Sequence, residues 1–233
     1  MKTKKYQLVN SYFKVNNMLG LPDSILEIGQ YEKEHGELPF AYSGTNWVYD
    51  AFCEHQKRYG VENSQYLTPD DTVYRMVSLA GKYFKENDIL EPCCGTGQIT
   101  KELIKGGYNV VAFDNDPSMV DICEIVSNFG DEGLMCCDFK DYDFKYTHNQ
   151  QIIANPPYEI PVLTEFMQWI LSVQTCGGLS ILLLPKGFIF KDKPKVLTNI
   201  LNKFYLIYRE GMQEEFARTK TRAEIVVLEK IIV

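Results

Sequence analysis

The sequence predicts an α/β fold: a doubly wound, mostly parallel sheet with an antiparallel C-terminal hairpin, plus a small, partly helical N-terminal extension. Three observations predict it. From Asp88 onward, short apolar runs alternate with stretches of helical spacing, as in a parallel sheet with helices on its faces. The last two apolar runs are joined by a charged loop instead of a helical stretch. The first 60 residues hold polar, aromatic-rich stretches such as Tyr42-Ser43-Gly44-Thr45-Asn46-Trp47, without a clear run of strands.

In chain order, the spacing predicts a helix over Asn46 to Tyr59, with Trp47, Val48, Ala51, Phe52 and His55 near one face. Residues 1–62 are taken as the extension and 63–233 as the main domain. Asp88–Cys93 reads as the first strand, Asn109–Asp114 as the second and Gly133–Asp138 as the third. Gln151–Asn155 and Leu179–Leu184 follow as the fourth and fifth. Between them, Gly97–Lys105, Pro117–Phe129 and Val162–Val173 have helical spacing, and Pro117 suits a first helical turn. Phe204–Arg209 and Ala223–Lys230 form the closing hairpin.

Composition narrows the class. Hydrophobic residues make up 45% and charged residues 24% of the 233, which excludes a disordered chain, a collagen-like repeat and a disulfide mini-scaffold. The longest apolar stretch, around Leu179 to Leu184, falls well short of the ~20 residues that span a bilayer. The opening Met1-Lys2-Thr3-Lys4-Lys5 turns polar without the apolar core of a signal peptide. The cysteines are odd in number, and the adjacent pairs Cys93-Cys94 and Cys136-Cys137 lack C-x-x-C spacing. A reduced, cytoplasmic location is therefore expected, with no membrane and no metal site. The net charge of −7 is uneven: residues 1–180 carry 14 Lys and Arg against 25 Asp and Glu, while residues 181–233 carry 10 against 6. An acidic total argues against a wholly electrostatic nucleic-acid binder but leaves room for a locally basic face.

In a doubly wound sheet, ligands bind beyond the carboxyl ends of the strands. After the first strand, Glu91-Pro92-Cys93-Cys94-Gly95-Thr96-Gly97 is a glycine turn that lets the backbone approach a ligand. Thr100 replaces the third glycine of a dinucleotide fingerprint, which lowers the case for a pyrophosphate. The second strand ends at Asp114, an acid that can accept from ribose hydroxyls; its other reading is a helix N-cap, for which Asp116 or Asn115 is more natural. The third ends at Asp138-Phe139, which offers a carboxylate to the amino edge and a ring to the face of adenine, or a mere turn. Together the three strand ends indicate a nucleoside cofactor. The fourth strand ends in Asn155-Pro156-Pro157-Tyr158. Its prolines remove two N–H donors, so carbonyls and the Asn155 amide oxygen stand as acceptors for a planar NH₂ group, and Tyr158 supplies a ring for stacking.

These residues resemble the amino-group methyltransferases that use S-adenosylmethionine, and within them the adenine-N6 DNA methyltransferases. The resemblance runs in order from about Gln65 to Val233 and implies a Rossmann-like methyltransferase sheet. Gln65-Tyr66-Leu67-Thr68-Pro69, ahead of a helix through Met76, resembles the upstream motif that holds the carboxylate end of the cofactor in the family, which implicates Thr68 and Pro69. Glu91, Pro92, Gly95 and Gly97 match the motif around the methionine part, Asp114 the ribose acid, and Asp138 with Phe139 the adenine pair. Asn155, Pro156, Pro157 and Tyr158 match the catalytic tetrapeptide in full. Leu183 to Phe188 resembles the segment after the fifth strand, and Phe216 falls where the family sets a ring against an extruded base. The resemblance implies methylation of adenine N6 in DNA, with Lys186, Lys191, Lys193, Arg218, Lys220 and Arg222 toward phosphates near the pocket. RNA adenine or a protein glutamine is the alternative substrate; a non-catalytic cofactor-binding accessory protein is a further reading, against which the intact tetrapeptide argues. Sequence-specific members usually carry a separate target-recognition domain, whereas here Val233 follows closely on the last strand. Weak intrinsic specificity or a specificity-conferring partner protein is the expectation.

Overall fold

The computed structural model describes residues 21–42, 44, 46–59, 66–129, 133–142, 151–190, 193–212 and 222–231. Two helices, α1 (Leu21–His35) and α2 (Trp47–Tyr59), precede α3 (Asp70–Tyr83). The α/β part follows as β1 (Asp88–Pro92), α4 (Gln98–Lys105), β2 (Asn109–Asp114), α5 (Pro117–Ser127) and β3 (Leu134–Cys136). Then come β4 (Gln151–Ala154), α6 (Ile160–Val173), β5 (Leu179–Pro185), α7 (Lys195–Leu201), β6 (Phe204–Gly211) and β7 (Ala223–Lys230).

The seven strands form one sheet in the order β3-β2-β1-β4-β5-β7-β6. The first five are mutually parallel, and β7 runs antiparallel to both β5 and β6. The expected sheet and closing hairpin are therefore observed. The order reverses at β1, so a crevice opens where the ends of β1 and β4 diverge.

Neighbouring residues in the central strands serve opposite faces, as the two-residue strand period requires. Leu90, Ile152 and Leu182 pack against Leu163, Phe166 and Ile170 of α6 on one side. Ile89, Ile153 and Ile181 pack against Val73, Met76 and Leu79 of α3 and Leu103 of α4 on the other. Both faces are covered, which explains why these strands read as continuous apolar runs.

Several boundaries shift by one or two residues from the sequence pattern, and one helix is unexpected. Only Leu134–Cys136 of the expected Gly133–Asp138 strand pairs with β2, because it is an edge strand whose Met135 and Cys136 stay exposed. α5 stops at Ser127 rather than Phe129, since Asn128 turns left-handed with φ 50° and caps the helix. α7 arises in a stretch for which no helix is expected; its Leu197 and Ile200 are buried against the α6 side of the core.

The extension is more helical than its sequence announces. α1 buries Ile25 and Ile28 against Met119 and Ile122 of α5, joined by Trp47, Val48, Ala51 and Phe52 of α2. The helices approach closely at Gly29, where any side chain would run into Ile125. Trp47 Nε1 donates to Glu32 Oε2 at 2.9 Å, tying α2 to α1. Asn46 caps α2 by accepting from Tyr49 N at 3.0 Å and donates to Asp70 Oδ1 at 3.1 Å, which links the extension to the start of α3. No described helix is long and apolar enough to cross a membrane.

Candidate active site

A cavity of about 790 Å³ lies beyond the carboxyl ends of β1, β2 and β4. Of the residues expected there, Thr68, Glu91, Gly95, Asp114, Asp138, Phe139, Asn155, Pro156 and Pro157 line it. The structure thus brings together residues that are up to 89 positions apart, as in the Asn155–Tyr66 contact.

The turn after β1 is shaped by three residues in the left-handed region: Cys93 at φ 59°, Gly95 at 54° and Gly97 at 79°. Gly97 precedes α4, and a Cβ there would meet Cys123 Sγ at 2.6 Å, so both its dihedral and its surroundings demand glycine. Gly97 does not line the cavity; it sets the entry of α4. Pro92 likewise ends β1 without lining it. The buried Glu91 accepts from Thr100 Oγ1 at 2.6 Å, and burial pushes its carboxyl well above the usual carboxylate range.

Asp114 braces this turn. Its Oδ2 accepts from Gly95 N and its Oδ1 from Asp116 N, each at 3.0 Å. Burial raises its pKa, opposed by those same N–H donors. The N-cap of α5 is Asp116, which accepts from Ser118 N at 2.9 Å with Pro117 following. Asp114 is therefore free of the capping role and keeps lone pairs toward the cavity that it lines.

On the far side, Asp138 accepts from Lys140 N at 2.9 Å and caps a short 3₁₀ turn over Phe139–Asp141. The Phe139 ring is held edge-on to Phe166, centroids 5.4 Å apart. It presents a fixed apolar wall to the cavity.

The Asn155 amide is oriented by its neighbours. Nδ2 donates to the Tyr66 carbonyl at 2.8 Å and to Thr68 Oγ1 at 3.1 Å, while Oδ1 is buried with no partner. A carbonyl accepts only from the NH₂ end, so Tyr66 decides which end is which. Tyr158 does not line the cavity; its ring stacks near-parallel to Tyr66 with centroids 6.0 Å apart, and burial pushes its phenol pKa up. Pro69 is the N-cap residue of α3 and sits just behind Thr68.

The three expected basic residues that are described, Lys186, Lys193 and Arg222, are set apart from this cavity. Lys186 N donates to the Arg222 carbonyl at 2.8 Å, which places both at the top of the β5–β7 pair. Lys193 holds its ammonium 5.3 Å from the Phe188 ring. None of the three lines the cavity. Lys191, Phe216, Arg218 and Lys220 lie outside the described residues. Tyr66, Gln98 and Lys140 also line the cavity, and sequence reasoning missed these three. Gln98 directly follows the glycine turn, and that adjacency was the one signal available for it.

No family model matches the chain. It is 27% identical over 144 residues to ribosomal RNA small subunit methyltransferase A of Thermotoga maritima, covering 57% of this chain and 51% of the relative. The enzyme of the same name from Latilactobacillus sakei is 23% identical over 128 residues, covering 48% and 43%. The chain thus spans about half the length of these curated relatives. Among solved structures, a protein assigned as a class I S-adenosylmethionine-dependent methyltransferase from Listeria monocytogenes superposes with TM-score 0.60 at 15% identity, covering 80% of this chain and 68% of its own. Magnesium protoporphyrin IX methyltransferase of Synechocystis, with bound S-adenosylhomocysteine, gives TM-score 0.55 at 16% identity, covering 86% and 92%. The chain has the fold of the S-adenosylmethionine-dependent methyltransferases.

Proposed function

We propose that the chain transfers a methyl group from S-adenosylmethionine to the exocyclic N6 amino group of adenine in DNA, with the base flipped out of the duplex into the Asn155–Tyr158 pocket. The observation that carries this reading is the Asn155 amide, whose NH₂ is tied back to Tyr66 and Thr68 and whose Oδ1 is left as a buried acceptor. A buried acceptor without a partner is costly, and an amino group in the pocket supplies the donor that it needs.

When bound, S-adenosylmethionine supplies a methyl group activated by a positively charged sulfur that keeps the electron pair of the broken C–S bond. Asp114 accepts from the ribose hydroxyls, and Asp138 with Phe139 holds the adenine of the cofactor. The target nitrogen is a poor nucleophile, because its lone pair is delocalised into the base. Acceptance of its hydrogens by Asn155 Oδ1 and the Pro156 carbonyl fixes its direction and increases its electron density. Tyr158 is the ring assigned to stacking; it stands outside the cavity lining, with its orientation set by Tyr66. The nitrogen loses one proton to solvent as the new N–C bond forms. Positioning supplies much of the rate, and base flipping is required because the amino group is out of reach within the stack. Lys186, Lys193 and Arg222, with Lys191, Arg218 and Lys220, are assigned to phosphates.

RNA is the second reading, favoured by the names of both curated relatives, which are ribosomal RNA methyltransferases. The test is to digest DNA and RNA from cells expressing the chain, in a host without its own adenine methylation, and quantify N6-methyladenosine by mass spectrometry. The expected result is a rise in the deoxynucleoside that disappears with Asn155→Ala. A rise only in the ribonucleoside moves the substrate to RNA, and no rise in either overturns both readings.

A further inference from the structure

Two tight turns follow β5, with Phe188 N donating to the Pro185 carbonyl at 2.8 Å and Phe190 N to the Gly187 carbonyl at 3.0 Å. They send two rings to opposite environments. Phe188 is buried in the core on the α6 side of the sheet, whereas Phe190 is 64% exposed and forgoes most of the stabilisation that burial gives a ring. The Arg209 guanidinium of β6 lies over the Phe190 ring, 4.7 Å from its centroid. Arg209 is held there in turn by Glu224 of β7, whose Oε2 stands 4.0 Å from Arg209 Nε. Glu224 is 3% exposed and its Oε1 has no hydrogen-bond partner, so this buried carboxylate needs its cation and keeps the guanidinium beside the ring. One face of Phe190 is thus backed by a fixed, planar charge, and the exposure of the ring leaves the other face open.

The strand register relates this pair to the pocket. Ala154 pairs with Leu182, Leu182 with Val226, and Val226 with Arg209, so Arg209 stands in the same row as the residue before Asn155. Three inter-strand steps of about 4.8 Å separate them, about 14 Å in all. Between them lies the β5–β7 pair, at whose top Lys186 and Arg222 meet. A polyanion running from Asn155 toward β6 therefore passes cations and ends at an open aromatic face.

We propose that the open face of Phe190, backed by Arg209, stacks on an unpaired base of the substrate strand, within about four nucleotides of the target adenine at 3.4 Å per stacked nucleotide. The inference rests on the nucleic-acid reading above and narrows it. A base paired inside a duplex offers no face to this ring, so the substrate is single-stranded or locally opened beside the target. Every base has a π face, so the contact contributes affinity and placement without reading sequence. That agrees with the weak intrinsic specificity expected from the sequence.

The test measures binding of labelled single-stranded oligonucleotides with one adenine, by fluorescence anisotropy on the purified full chain with S-adenosylhomocysteine. An abasic site is walked through four positions on either side of the adenine, in DNA and in RNA. At one position it should weaken wild-type binding on the order of ten- to a hundredfold. Phe190→Ala should weaken the intact strand by the same factor, become indifferent to the abasic site, and melt with the wild type because the ring is exposed. Phe190→Trp should keep the affinity, its indole emission quenched by the intact strand and not by the strand abasic at that position. A complement that pairs the position should remove the difference between wild type and Phe190→Ala. A flat abasic series in the wild type, or Phe190→Ala binding as tightly as wild type, overturns the stacking assignment; adenine methylation by the same preparation then shows that the methyltransferase reading survives it. The expected pattern confined to RNA supports the stack and moves the substrate to RNA. A wild-type chain that binds neither polymer overturns both the stack and the nucleic-acid reading.

Discussion

At the end of β2, both oxygens of Asp114 accept backbone N–H groups, from Gly95 and Asp116. At the end of β4, Asn155 gives its NH₂ to Tyr66 and Thr68 and keeps Oδ1 without a partner. The two side chains flank β1 in the same crevice and are both braced, but differently. Asp114 is part of the wall: its bonds hold the glycine turn in shape, and its spare lone pairs face the cavity. Asn155 is held by one end so that the other stays available. Under the proposed function, the contrast leads to the expectation that Asp114, which shapes the cofactor half, also carries stability, whereas Asn155, assigned to chemistry, carries little of it.

The largest effect follows from the Asn155 side. Asn155→Ala should lower kcat on the order of 10²–10³, the usual cost of one preorganised polar group at a reacting centre. Affinity for S-adenosylhomocysteine should stay within about twofold and the melting temperature should shift little. A variant that loses cofactor binding in parallel with kcat would erase the contrast, because Asn155 would then be a wall residue too.

Asp114→Ala is the mirror experiment. It removes two charge-assisted hydrogen bonds to backbone from a largely buried site, so about 3 kcal/mol of stability should go, read by urea unfolding. Cofactor binding should be lost with it, since Gly95 is released from its position. Asp114→Asn should recover part of the stability through one amide oxygen while remaining weak in binding. Full stability in Asp114→Ala would show that the turn holds its shape without the brace.

The parts legible in the sequence are those whose signal is local. Ile152-Ile153 and Ile181–Leu184 of the central strands are apolar on both faces because helices cover both, and turn residues mark their ends. Asp114 and Asn155 are readable because each closes or directly follows a strand, and Asp138 because it lies two residues beyond one, where a doubly wound sheet puts its ligand. α1 was not readable: in LPDSILEIGQYEKEH only Ser24, Ile25, Gly29's neighbour Ile28 and a few others turn inward, and their partner, α5, lies about a hundred residues away. The same holds for Tyr66, Gln98 and Lys140, whose place in the cavity depends on contacts across the crevice. β3 was overextended because an edge strand with exposed Met135 and Cys136 has no second face to define its length.

Gly97 sharpens the comparison from the backbone. It lies outside the cavity, so Gly97→Ala should act on binding only through the turn. The added methyl meets Cys123 Sγ at 2.6 Å on a backbone at φ 79°, and together these should cost about 2–3 kcal/mol. Adding Cys123→Ala should relieve the closest contact and leave the backbone part, about 1 kcal/mol, together with the tight approach to Cys123 Cα at 3.1 Å and Cβ at 3.2 Å; two melting curves and their double-mutant cycle would separate the sulfur's share. Complete recovery would mean that the left-handed dihedral is not required there.

Glu91 provides the smallest effect, and it tests whether the cofactor half is tuned for a cation. Burial raises its folded-state pKa well above 4.5, so the carboxyl resists ionisation in the folded chain. Above pH 4.5 the unfolded chain releases this proton while the folded one retains it. Its contribution to stability is therefore intact below that pH and declines as pH rises toward the folded value, by at most about 1.4 kcal/mol per pH unit. Glu91→Gln should flatten this decline, its stability relative to wild type improving from about pH 4 toward neutral. The ligand should reverse the situation. A cofactor carrying positive charge beside Glu91 favours the carboxylate, so binding should release a fraction of a proton, measured as a dependence of the calorimetric heat on the ionisation enthalpy of the buffer. S-adenosylmethionine should release more than S-adenosylhomocysteine, which lacks the sulfonium charge, and Glu91→Gln should remove the difference. Equal proton release by the two ligands in the wild type would place the sulfonium away from Glu91.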